Sequence, residues 1–183
     1  LLPALVAAAL FVTLAWWLAR GEGEGRERSK RASKLALLVV AIFVLQVALI
    51  NAIGDPWISP GSIIISPNAT TYFALSMEIG EVRSWVASYQ DRMAALPYHA
   101  RTHPPGITLF FYGVRKLTAA LVPEGRQPFA AWAEGYRVFG LGPTTSDAAA
   151  AMVSAFVVAL LGALSVVPIF LLSKELMSGR AAL

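Results

Sequence analysis

Three stretches without a single charged residue constrain this chain more than anything else in it. They are residues 1–19, "LLPALVAAALFVTLAWWLA", residues 35–53, "LALLVVAIFVLQVALINAI", and residues 148–172. At ~1.5 Å of rise per residue, each is long enough as a helix to cross a hydrocarbon layer roughly 30 Å thick. Over 183 residues the chain is 57% hydrophobic and 14% charged, too little charge to cover a soluble domain of that size. The pattern predicts an all-α integral membrane protein with transmembrane helices at about 1–19, 35–53 and 148–172. With no cysteine, neither a disulfide nor a thiolate metal site is available. A net charge of +4 does not point to nucleic acid; the partner that composition implies is the lipid bilayer.

Charge between the runs sets orientation. Residues 20–34, "RGEGEGRERSKRASK", carry six Arg/Lys against three Glu, so this loop-like linker is placed on the cytoplasmic side. A cleaved signal peptide is the rival reading of residues 1–19, but no small-x-small site precedes the polar stretch. Two parts result: residues 1–34, an extra N-terminal span with a basic linker, and residues 35–183, a membrane domain with an extracytoplasmic region at 54–147. A start at Leu-Leu-Pro and an end at "GRAAL" read as cuts in a longer protein. Within the outer region, apolar residues at helical spacing from Phe73 to Tyr89, broken at Gly80, predict two short amphipathic helices on the membrane surface.

Residues 104–122, "PPGITLFFYGVRKLTAALV", resemble a further span but contain Arg115 and Lys116. Each charge at mid-bilayer would cost about 3 kcal/mol. Parity agrees: if 35–53 runs outward and 148–172 returns toward the basic "SKELMSGR", then 104–122 does not cross. A juxtamembrane or re-entrant helix is expected there, with a full crossing left open as the alternative. Pro168 should kink the last span, and "TTSD" at 144–147 should cap it.

The chemistry-bearing cluster is "HARTHPPG". Proline is favoured in the first helical turn, so Thr102 or His103 is expected to cap a helix running from about Pro104. Its free N–H groups, beside His99, Arg101 and His103, suit an anion, and at a membrane surface the anion is a lipid phosphate. Simple anchoring to headgroups is the bland alternative. His99 and His103 are four apart, but Arg101 and the prolines between and beside them argue against a metal. Asp55, directly after a span, is rigidly held as a general base must be, though Gly-Asp-Pro also reads as a plain turn.

These features together resemble the N-terminal part of GT-C membrane glycosyltransferases, closest to the protein O-mannosyltransferase and aminoarabinose-transferase-like group. The resemblance covers about residues 35–183. Thr102-His103-Pro104-Pro105-Gly106 stands where that group has "KPPL", and "LMSGRAAL" matches its basic turn after a small-residue-rich span. It implies transfer of a sugar from a polyprenyl-phosphate carrier to an acceptor, on the outer face of a bacterial or archaeal plasma membrane. The lipid-linked sugar is then the donor, with assistance by a divalent metal left open. The group's Asp-Glu-x-x-Tyr motif aligns with "NATTY", putting Asn68 at the aspartate and Tyr72 at the tyrosine. An amide holds a hydroxyl but takes no proton. The resemblance therefore leaves two readings: catalysis with Asp55 or a carboxylate outside this chain, or a non-catalytic transport or assembly subunit. On the catalytic reading Asp55 and Asn68 face the reaction, and Arg101, His103, His99 and Tyr72 hold the carrier phosphate.

Overall fold

The computed structural model describes residues 2–19, 27–52 and 59–176. Among them there are helices and turns and no strand. The chain divides into two compact units: residues 1–56 with 157–183, and residues 57–156.

In the first unit α1 (Leu2–Ala19) and α2 (Glu27–Asn51) pack together, and α2 also meets α11 (Val166–Leu176). Among the described residues two stretches are long and apolar enough to cross a membrane, Ala32–Asn51 and Thr145–Ser173; the described side chains of α1 give a shorter apolar run, Leu5–Trp16. Helix α2 begins at Glu27, so the second half of the expected linker is helical. After Gly25 the sequence holds no Gly or Pro until Gly54 and is rich in Arg, Lys, Ala and Leu, all good helix formers. Gln46 lies against Gly162, where a Cβ would come within 3.1 Å of the Gln46 amide oxygen. A small residue there lets α10 (Thr145–Leu164) pass close to a polar side chain within an apolar run.

The expected kink falls at Ser165, between α10 and α11, three residues before Pro168. This follows from the proline ring, which has no N–H to donate and crowds the carbonyl four residues back, that of Leu164. The Ser165 hydroxyl donates instead to the Gly162 carbonyl at 2.7 Å.

The second unit is a set of short helices around one main core. Its elements are α3 (Ser59–Ile65), α4 (Tyr72–Met77), α5 (Val82–Ala87), α6 (Tyr89–Arg92), α7 (Tyr98–Arg101), α8 (Gly106–Leu121), α9 (Phe129–Tyr136) and the first half of α10. Ile65, Phe73, Phe111, Tyr136 and the alanines Ala148, Ala150 and Ala151 belong to this core. Phe73 and Phe111 meet edge to face at 5.8 Å and join α4 to α8; each buried ring contributes about 1.5–3 kcal/mol. A smaller cluster of Ile79, Trp85 and Tyr89 lies beside it.

Two expectations change here. The segment from Phe73 to Tyr89 breaks at Gly80 as expected but again at Ser88, where the hydroxyl bonds back to the Ser84 carbonyl at 2.9 Å and competes with the helical ladder. Helix α8 starts at Gly106 rather than Pro104, and no side chain caps it. Thr102 donates backward, to the carbonyls of Tyr98 (3.2 Å) and His99 (3.1 Å), so its hydroxyl closes α7 instead of opening α8.

Helix α8 buries polar and aromatic side chains together and leaves several aliphatic ones exposed. Thr108, Phe111 and Thr118 are buried, with Arg115 half-buried on the same side, whereas Ile107, Leu117 and Leu121 are exposed at 43%, 59% and 69%. Phe110 and Val114 are half-buried against the main core, and Lys116 is exposed.

Candidate functional site

Two buried tyrosines fix the backbone of the His99–His103 stretch. Tyr72, the first residue of α4, donates its hydroxyl to the His99 carbonyl at 3.1 Å. Tyr89, the first residue of α6, lies 2.7 Å from the Ala100 carbonyl and 2.9 Å from that of His103, both acceptors for its hydroxyl. Burial, and then the neighbouring Tyr72, push the Tyr89 hydroxyl above its ordinary pKa, which keeps it protonated as the donor. With the carbonyls of His99, Ala100 and His103 tied inward, the side chains of His99, Arg101 and His103 are all exposed. Arg101 lies 5.6 Å over the Tyr98 ring, and the ring of His103 stands edge-on to Tyr72 at 6.2 Å.

The structure therefore brings together Tyr72, His99, Arg101 and His103 at the start of α8. Tyr72 acts there through its backbone bond and its ring, since its proton is committed to His99. Asn68 sits exposed in the turn before α4 and makes no hydrogen bond to this cluster among the described residues. Asp55 lies outside the described residues. Among those described, no group of three or more His, Asp or Glu side chains converges as a metal site would.

The turn that carries Asn68 is strained. Thr71 has φ 66°, a left-handed conformation costly for a β-branched residue, of order 1–3 kcal/mol. The Thr70 hydroxyl oxygen beside it is buried without a partner. Strain and an unsatisfied polar group thus coincide in "NATTY", the stretch aligned with the transferase motif.

A second polar centre was visible in the sequence only as two charges in the wrong place. Arg115 donates from Nε to Asp147 Oδ1 at 2.7 Å and from Nη1 to the Ser76 carbonyl at 2.7 Å, tying α8 to the starts and ends of α10 and α4. Asp147 also closes a capping box: its Oδ2 accepts from the Thr144 N–H (3.0 Å), and its own N–H donates to the Thr144 hydroxyl (3.1 Å). Glu124 accepts from the N–H and the hydroxyl of Thr145. The "TTSD" cap is thus present as expected. What could have signalled the pairing is that Arg115 and Asp147 each adjoin long apolar runs, where an unpaired charge is costly.

Compared with known proteins, the chain matches no family model, no curated protein and no solved structure.

Proposed function

We propose that this chain is part of a membrane glycosyltransferase that moves a sugar from a polyprenyl-phosphate carrier to an acceptor hydroxyl on the extracytoplasmic face of a plasma membrane. The observation that carries this reading is the exposed Arg101–His99–His103 cluster, held rigid by Tyr72 and Tyr89 at the start of α8. It belongs to a chain with two apolar helices long enough to cross a membrane. The exposed apolar Ile107, Leu117 and Leu121 of α8 support a helix lying in the interface beside that cluster, with Arg115 turned inward to Asp147 rather than into lipid.

In the transfer, the bond between the sugar's anomeric carbon and the carrier phosphate breaks, and a bond to the acceptor oxygen forms. The departing phosphate gains negative charge, which Arg101, His103 and the N–H groups of Gly106 and Ile107 stabilise. The acceptor proton goes to a carboxylate, for which Asp55 is the residue of this chain assigned. Asn68 orients a hydroxyl through its amide. Transfer from polyprenyl-phosphate mannose and from polyprenyl-phosphate aminoarabinose, measured in membranes carrying Arg101→Ala or His103→Ala, tests the assignment. Rates should fall about 100-fold, the scale of losing one preorganised charge-stabilising donor. Unchanged turnover and carrier binding in both variants would refute it.

One observation favours a second reading, a non-catalytic transport or assembly subunit. At the motif position stands an exposed amide, and no carboxylate pairs with the cluster among the described residues. Asn68→Asp separates the two: a gain in transfer supports the enzyme, and a silent substitution together with inactive wild type supports the subunit.

A further inference from the structure

A cavity of about 280 Å³ opens beside the Arg115–Asp147 pair, away from the His99–His103 cluster in sequence. Its polar walls are Arg115 and Lys116 of α8 with Thr144, Ser146 and Asp147 at the start of α10, and Tyr112 contributes an aromatic side. The carboxylate is fully engaged: Oδ1 accepts from Arg115 and Oδ2 from the Thr144 N–H. Arg115 gives Nε and Nη1 to its two partners, and its Nη2 group makes no hydrogen bond among the described residues. The Thr144 and Ser146 hydroxyls lie 3.0 Å apart, so one proton satisfies that pair and the other hydroxyl can donate elsewhere. The Lys116 ammonium rests 5.3 Å over the Tyr112 ring and forms no ion pair among the described residues.

Among the lining side chains are a guanidinium, an ammonium and a hydroxyl with hydrogen-bonding capacity to spare, beside apolar Met77, Ile79 and Ala119, with two cations against one carboxylate that is already neutralised. All three are donors. A cationic ligand would be repelled and a neutral one would leave the Lys116 charge uncompensated, whereas a tetrahedral oxyanion accepts from each with charge-assisted bonds. Arg115 is also preorganised, since the bonds to Asp147 and Ser76 fix the plane of its guanidinium. We propose that this cavity binds a phosphate-type oxyanion, either free phosphate or the phosphomonoester headgroup of a lipid. The site is distinct from the carrier-phosphate cluster and does not depend on the chain being a transferase.

The test uses the full chain carrying Arg101→Ala and His103→Ala, so that the other cluster contributes no phosphate binding. In nanodiscs of phosphatidylcholine, equilibrium dialysis with radiolabelled inorganic phosphate should show saturable binding at one site. Adding Lys116→Gln should weaken it about tenfold, the scale of one hydrogen bond to a charged group, and Ser146→Ala should weaken it less. These positions are chosen because neither breaks the Arg115–Asp147 pair, and an unchanged thermal midpoint confirms that the fold is retained. Phosphatidate in the nanodisc that displaces the labelled phosphate identifies a lipid headgroup as the ligand; phosphate binding undisturbed by phosphatidate identifies the free ion. Absence of saturable binding to either probe, or full affinity in Lys116→Gln, overturns the proposal.

Discussion

Arg115 shows what a single side chain does in this protein. Its partner Asp147 has 5% of its side chain exposed, and Arg115 itself 19%, so the pair is well shielded from water. Removing one member leaves the other charge poorly solvated, at a cost of about 3 kcal/mol. Arg115→Met and Asp147→Asn should each lower the thermal midpoint of the purified protein by several degrees. The double variant should lose less than the sum of the two, because no orphan charge remains. Additive losses in calorimetry or circular dichroism would show that the pair is not coupled. Arg115→Lys should rescue poorly, since an ammonium lacks the fork that reaches both Asp147 and the Ser76 carbonyl. Tyr89 gives a second prediction, read through pH. Its folded pKa is raised above the ordinary 10.0, so the stability it contributes is complete below pH 10 and is lost as pH rises beyond it. Tyr89→Phe should cost about 1 kcal/mol at neutral pH and flatten the alkaline decline. A decline of the same steepness in both proteins would assign it to other groups.

At the level of elements, the long helices were legible and the short ones were not. Uncharged runs at 35–53 and 148–172 announce themselves, because nothing but a membrane or a deep core accepts them, and both contain a helix of spanning length. The break at Ser165 was readable from Pro168 and lies where the ring chemistry puts it. By contrast, the division between α5 and α6 depends on one serine choosing a backbone carbonyl, and the start of α8 on a threonine bonding backward. Such choices among near-equal local hydrogen bonds leave no periodic trace. The charges of Arg115 and Lys116 excluded a plain span, but their partner was 32 residues away and had to be found in three dimensions. Close packing is likewise invisible in sequence. A Cβ at Gly61 of α3 would overlap the hydroxyl of fully buried Tyr136 and lie 3.2 Å from Met152 Sδ. Gly61→Ala should therefore destabilise the second unit by about 1–3 kcal/mol. Denaturation monitored by tryptophan fluorescence checks this, and a neutral result would mean that Tyr136 shifts freely.

On the scale of the whole molecule, α8 bears most directly on the membrane arrangement proposed above. Its exposed Ile107, Leu117 and Leu121 are apolar, yet Arg115 and Lys116 lie in the same sixteen residues. On the proposed interfacial placement Ile107, Leu117 and Leu121 would meet acyl chains, while Arg115 turns to Asp147 and Lys116 stays over Tyr112. A crossing helix would instead carry two charges toward the middle of the membrane, about 3 kcal/mol each. The two arrangements differ in one observable, the side on which the ends of α8 emerge. The chain has no cysteine of its own, so single introduced thiols report position without background. Gln90→Cys before α8 and Arg126→Cys after it should react with an impermeant maleimide from the same, outer side. Ser33→Cys and Ser173→Cys should be protected in intact cells and become reactive only after permeabilisation. Labelling of Gln90→Cys and Arg126→Cys from opposite sides would make α8 a full span. The cluster proposed to hold a carrier phosphate and the Arg115 cavity would then belong to different faces of the membrane.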